Sequence, residues 1–327
     1  MLKKNLPIVI IFLLLLISVI TYFYTNSKGT LSSKVADFAS KDLSDVNRIA
    51  VKNHNSYFIL YKNEDSWSYN TSFHVKPTII SLCYRIFSQV EIKSPLNKEY
   101  SLKVAEKLEH DGTEIKLCNK KKILKHFFIW ADSLTRNTYM MMAGQAVPFI
   151  VSVPSIDGNF AALFLKDSSF WRDLTLLHYL PGQIKSIQIE QPANPKQSFK
   201  LEISKSGKIA MTDFMGKEQK INKDALGAFL YCFKNVSASA FLDNNSELLK
   251  AIKMKTPLYT ISISDFNGDT KNFKIFSKEK DNFSSTKKEN NFDKNFCYVL
   301  INNKDLAIVK YVAIDPVTRD LEFFLQK

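Results

Sequence analysis

Nine glycines in 327 residues leave little for loops that cradle phosphates, and neither a GxGxxG nor a P-loop occurs. Histidine is as scarce. His54, His74, His110, His126 and His178 form no HxH, HxxxH or HExxH pattern, which argues against a zinc site. The four cysteines, Cys83, Cys118, Cys232 and Cys297, make no CxxC pair. Each sits in an apolar pattern and reads as a buried free thiol, although a disulfide is permitted outside the cytoplasm. No GxSxG elbow is present. Ser284-x-x-Lys287 and Ser285-x-x-Lys288 match a serine–lysine spacing, but in a polar stretch with no means of holding an oxyanion hole. Asp265-x-Asn267-Gly268-Asp269 begins like a calcium loop, yet position six is Thr270 and position twelve Phe276. The expectation is a chain with no catalytic, metal or cofactor site.

What is present is hydrophobic and basic. Hydrophobic residues make up 45% and charged residues 24%, a globular composition long enough for two cores. Forty-five Lys and Arg against 32 Asp and Glu give a formal charge of +13. The lysines are spread along the chain, with clusters at Lys120 to Lys122 and at Lys278 to Lys288. Scattered lysine is a solvated surface, or a face lying near anionic lipid headgroups. Without a recognition helix or aromatic ribonucleoprotein motif, nucleic acid is not an expected partner.

The longest apolar run lies at the start. Lys3 and Lys4 precede an uncharged stretch from Leu6 to Tyr24, which as a helix matches a hydrocarbon core of roughly 30 Å. The flanking lysines predict a cytoplasmic N-terminus with the bulk outside. A cleaved signal peptide would have a shorter apolar region, of about 7–15 residues, and a small-x-small site; Ser27-Lys28-Gly29 is a weak candidate. The organisation expected is a transmembrane signal anchor over 1–24, then a polar tether over 25–45.

Beyond it the chain repeats. Val46, Ile49 and Val51 return 138 residues later as Ile184, Ile187 and Ile189. Tyr57, Ile59 and Tyr61 match Phe199, Leu201 and Ile203, and Trp67 and Tyr69 match Ile209 and Met211, at an offset of 142. A helical face of Ile79, Leu82, Cys83, Ile86, Phe87 and Val90 returns 146 residues on as Ala225, Ala228, Phe229, Cys232, Phe233 and Val236. Pro77 suits the first turn of one helix and Asn222 the N-cap of the other. A second helix around Val104 to Leu108 is matched at Leu248 to Ile252. A hairpin follows in each copy. In the second, a three-residue loop over Phe266 to Gly268 pairs Ile261 with Phe273 and Tyr259 with Ile275, leaving Gly268 at the left-handed position. Tyr139 to Met142 match Tyr298 to Ile301, and Phe149 and Val153 match Ile308 and Val312, at an offset of 159. The jump from 146 to 159 places a flexible insertion at Lys280 to Asn291.

The fold class expected is α+β: two repeated units, at 46–156 and 183–327, each an antiparallel sheet covered by two helices. The connector, 157–182, is apolar enough to dock and hold the units together. It contains Trp171-Arg172-Asp173, the one cluster with functional promise. Its Arg and Asp would present a fork to a carboxylate or phosphate. The structural alternative, Trp171 filling the interface between units with Arg172 and Asp173 as a local ion pair or cap, is preferred.

Several segments carry a family resemblance: Asn26-Ser27-Lys28, Thr30-Leu31, Asp37-Phe38, Val46 to Ile49, Val90 to Pro95, Tyr139-Met140-Met141, Pro148 with Val151 to Pro154, and Trp171 to Asp173. From the anchor to about residue 275 the chain resembles a bacterial membrane-anchored family catalogued as domain of unknown function 4340, in its Bacteroidetes form. It departs from that form in its high Lys and Asn content and in Met140 to Met142. The resemblance implies a single-pass inner-membrane protein with its bulk in the periplasm, associated with ABC-transporter subunits, and supplies no catalytic residues. The function expected is a non-enzymatic accessory or scaffold of a cell-envelope complex. The alternative is an ectodomain that binds an anionic cell-wall polymer or glycan.

Overall fold

A computed structural model describes residues 13–21, 33–40, 42–64, 66–154, 156, 158–243, 245–280 and 292–325. Of the apolar run 6–24, residues 13–21 are helical with exposed side chains, and the rest lies outside the described residues. Among the described residues no helix is long and apolar enough to cross a membrane. The insertion expected at 280–291 lies, but for Lys280, outside them as well. The chain divides into two compact units, Met1–Asp173 and Leu174–Lys327.

The first unit contains β1 (Arg48–Lys52), β2 (Tyr57–Lys62), β3 (Trp67–Tyr69), β4 (Phe73–His74), α1 (Pro77–Gln89), β5 (Glu91–Pro95), α2 (Lys98–His110), β6 (Thr113–Cys118), β7 (Ile123–Ala131), β8 (Thr138–Met142) and β9 (Phe149–Ser152). These strands form one antiparallel sheet in the order β4-β3-β2-β1-β6-β7-β8-β9-β5. The second unit contains β10 (Thr175–Leu177), β11 (Ile184–Glu190), β12 (Phe199–Ile203), β13 (Ile209–Asp213), α3 (Lys223–Tyr231), β14 (Val236–Ser237), β15 (Ala240–Phe241), α4 (Ser246–Lys253), β16 (Tyr259–Asp265), β17 (Thr270–Glu279), β18 (Phe292–Ile301) and β19 (Asp305–Lys310). Its antiparallel sheet runs β13-β12-β11-β16-β17-β18-β19-β15, with β10 and β14 as a separate ribbon. Strand for strand, this is the order of the first sheet without β4.

Side-chain alternation gives each sheet two apolar faces. In β7, Phe127 and Ile129 join the main core under α1, whereas Phe128 and Trp130 join a smaller cluster with Val104 and Leu108 of α2. In β18, Cys297 and Val299 face the core shared with α3, while Tyr298 and Leu300 pack with Ile252 of α4. The two helices of each unit therefore lie on opposite faces of its sheet. Pro77 occupies the first turn of α1. Asn97, Asn222 and Asn245 cap the other helices, each side chain accepting from a backbone N–H of the first turn.

The hairpin register agrees with the pattern reading: Tyr259 pairs with Ile275 and Ile261 with Phe273. Asp265 N–H donates to Asp269 O at 3.0 Å, closing a three-residue loop in which Gly268 has φ +97°. Two other alignments slip by one residue. Leu60 opposes Ile49 and Leu201 opposes Ile187, so Leu60 and Phe58, not Ile59 and Tyr57, correspond to Leu201 and Phe199. Residues 57–61 are apolar on both faces, so their alternation does not reveal which set points inward. Likewise Phe149 pairs with Met140 as Ala307 pairs with Val299, which makes Ala307, not Ile308, its counterpart. Val312 is 77% exposed. The helical match holds at 146, but Ala228 is exposed and Cys232 only half-buried. There the helix tightens into a 3₁₀ turn, Cys232–Lys234, which turns Phe233 inward in place of Cys232.

The tether and connector differ most from expectation. Residues 35–40, inside the stretch read as a tether, are docked: Phe38 is buried with its ring 5.9 Å from that of Phe149, and Ser40 N–H donates to Phe87 O at 2.8 Å. The connector 157–182 is divided between the units. Phe160, Ala161, Leu163, Phe164 and Trp171 complete the first core, and Leu176, Leu177 and Tyr179 join the second.

Candidate functional site

Trp171, Arg172 and Asp173 complete the β4 edge of the first unit. Lys76 N–H donates to Trp171 O at 2.9 Å, Asp173 N–H donates to His74 O at 2.8 Å, and Arg172 forms a bridge with Val75. The Trp171 ring, fully buried, packs 5.2 Å from Phe58 and 6.5 Å from Phe164, and its Nε1 donates to Lys166 O at 3.4 Å. It fills the core of one unit, where the sequence reading put it between two. Arg172 is buried with its guanidinium 5.1 Å from the centre of the Phe73 ring, an arrangement that spends the fork on packing.

The other polar residues singled out have structural partners. His126 Nε2 lies 2.7 Å from Glu114 Oε1, and Lys116 Nζ lies 2.7 Å from the same oxygen. His54 and His110 stack at 5.4 Å, with His110 Nδ1 3.1 Å from Asp111. Asp265 Oδ1 accepts from the N–H groups of Asn267 and Asp269, both at 2.9 Å, which commits it to the turn. Among the described residues no three His, Cys, Asp or Glu side chains are placed to hold a metal ion. Ser284 and Ser285 lie outside them. Cys83 and Cys297 are buried thiols whose pKa burial pushes up to about 12, far from a reactive thiolate.

A hollow of about 1070 Å³ lies in the second unit and is open and polar. Tyr259, Asp315, Arg319, Asp320 and Glu322 line it. Burial raises the pKa of Asp315 against the opposing pull of Arg319, and Gln191 donates to Asp320. Its charges are of both signs.

A different groove, of about 460 Å³, sits where β1 begins, β2 ends and β6 turns into β7. Asn47 knits these segments: its N–H donates to Cys118 O at 3.0 Å and its carbonyl accepts from Lys62 N–H at 2.8 Å. The turn is built by Asn119, whose Oδ1 accepts from Lys121 N–H at 2.9 Å and Lys122 N–H at 2.8 Å. Arg48, Lys62, Lys120, Lys121 and Lys122 converge there with Tyr61 and Ile123, and among the described residues no carboxylate lines the groove. Hydrogen bonding to Cys118 raises the pKa of Arg48 further.

The second unit has a hollow of about 450 Å³ at the matching start of β11 and end of β12, but the β12–β13 turn completes it: Lys185, Ser186, Glu202, Ile203, Ser204, Lys208 and Ser264 line it. Strand pairing equates Arg48 with Ser186 and Lys62 with Ile203. The two units thus share the strand ends at this place, and only in the first does a lysine turn join them. Lysines 120–122 stand out in the sequence as a cluster; Arg48 and Lys62 do not, because only the strand register brings them beside it.

No protein-family model, curated protein or solved structure matches the chain. The family resemblance rests on the segments that carry it.

Proposed function

We propose that the chain is a non-enzymatic module, anchored in the bacterial inner membrane by residues 6–24 with its bulk in the periplasm, that serves as an accessory or scaffold of a cell-envelope complex of the ABC-transporter type. The observation that carries this reading is the doubling of one strand order, β13 to β15 repeating β3 to β5. Such repetition multiplies surface for contact with a partner. Lys3 and Lys4 before the apolar run set the orientation, and the resemblance supplies the kind of complex.

Cross-linking in intact cells, followed by purification from the membrane, is expected to recover transporter or other envelope subunits with the chain. Recovery of none would overturn the scaffold reading. Resistance to alkaline carbonate extraction and cleavage by protease added to spheroplasts test the anchor and its orientation independently.

A further inference from the structure

We propose that the basic groove of the first unit, centred on Arg48, Lys62 and Lys120 to Lys122, docks onto the anionic phospholipid headgroups of the membrane that anchors the chain. The inference rests on the anchored reading of residues 6–24.

Three observations converge on it. The first is charge. Five cations line the groove without a carboxylate among the described residues, whereas the matching strand ends of the second unit carry Lys185 beside Glu202. Because the second unit folds to the same register with Ser186 and Ile203 in place of Arg48 and Lys62, the cations are not a requirement of the fold. Clustered lysines near an anionic bilayer are attracted within about a Debye length of its surface, roughly 10 Å.

The second is the company the cations keep. Ile123 is 50% exposed at the end of the lysine turn, and Tyr61 lies alongside. An apolar side chain among lysines suits the boundary between headgroups and acyl chains, with the ammonium groups reaching the phosphates. Asn119 holds the lysine turn in one shape, which reduces the ordering required on contact.

The third is the route of the chain. Lys125 Nζ binds Asp37 Oδ2 at 2.6 Å and donates to Asp37 O at 2.9 Å. This pins the incoming segment two residues along β7 from Ile123, about 7 Å at the usual strand rise. Only ten residues, 25–34, separate the apolar run from Val35, which packs on the first core. Fully extended they reach at most about 35 Å. Asp37 thus holds the start of the described first unit near the groove, within tether reach of the anchoring bilayer.

The test uses the full chain in nanodiscs of phosphatidylcholine, with and without phosphatidylglycerol. Mass spectrometry reads amide exchange across residues 117–124 and amine labelling of Lys120 to Lys122. With phosphatidylglycerol, labelling is expected to fall by roughly fivefold or more and to recover in high salt, while Lys185 and Lys208 label equally in both discs. The variants K120Q/K121Q/K122Q and R48Q/K62Q should lose the amide protection with unchanged circular dichroism. Equal protection in both discs would overturn the proposal. So would protection by soluble polyphosphate without protection by phosphatidylglycerol, which marks a polymer site. Flotation with phosphatidylcholine vesicles reports the anchor alone. A chain that fails to float there but binds phosphatidylglycerol vesicles in a salt-sensitive way would overturn the anchor and leave the groove standing.

Discussion

Phe58 and Phe199 hold one position in two units: each pairs across its sheet with the last buried residue of the preceding strand, Val51 in the first and Ile189 in the second. Phe58 is fully buried, whereas its neighbour Tyr57 is 62% exposed. Phe58→Ala is expected to destabilise the first unit by about 3–5 kcal/mol, and Tyr57→Ala by less than about 0.5 kcal/mol. Urea unfolding followed by tryptophan fluorescence distinguishes them, since Trp67 and Trp171 belong to that core. The reverse ranking would restore the alignment of Tyr57 with Phe199.

That pair also marks how far the sequence carries. Periodicity was sufficient where one face is polar: β16 alternates cleanly, and its pairing with β17 follows from matching Ile261 with Phe273 and Tyr259 with Ile275. It failed by one residue at Tyr57 to Tyr61, where both faces are apolar, and again at Phe149, whose counterpart Ala307 is small enough to hide a core position. The docking of Phe38 was illegible because a single buried ring in a polar stretch has no period. The basic groove was half legible. Three of its cations are adjacent in sequence, and two join them only through strand register.

The thiols should divide by burial. Cys83, Cys118 and Cys297 are buried, and Cys232 is half-buried with its Sγ donating to Ala228 O at 3.3 Å. Iodoacetamide on the folded protein is expected to label Cys232 first, with Cys83 and Cys297 modified only on unfolding. Peptide mapping reads this directly, and early labelling of Cys83 would contradict its place on the buried face of α1.

Acid should weaken the first sheet through Glu114. Desolvation raises its pKa, but the bonds from Lys116 and His126 outweigh this and leave it below the ordinary value of 4.5. A carboxylate so depressed adds stability above its unfolded pKa, and that stability is lost as pH falls through the folded value. Glu114→Gln is expected to cost on the order of 1–2 kcal/mol near neutral pH and nothing once the wild-type carboxyl is protonated. Urea midpoints compared at about pH 7 and about pH 3 should therefore converge; a constant gap would place the cost elsewhere.

Two glycines are fixed for different reasons. At Gly268 the obstacle is the positive φ of +97°, so Gly268→Ala should cost about 1–2 kcal/mol with Asn tolerated better. At Gly112 it is space, because a Cβ there would fall 2.2 Å from Leu108 O at the end of α2. Gly112→Ala is expected to disturb the helix end and, unlike Gly268→Ala, to find no relief in Asn. Thermal melts of the four variants separate strain from collision.

A protein that carries one strand order twice must keep its halves from exchanging strands as they emerge and fold. β1 and β11 are interchangeable by position, each closing against the strand that follows two helices. Lys52 opposes Glu114 in the first unit, and Glu190 opposes Thr260 in the second. A swapped β11 would set Glu190 directly against Glu114, a like-charge pair across the ladder, while the correct partner offers Lys52. Equivalent positions of the two copies thus carry opposite charge, and exchange of β11 into the first sheet would meet like-charge repulsion.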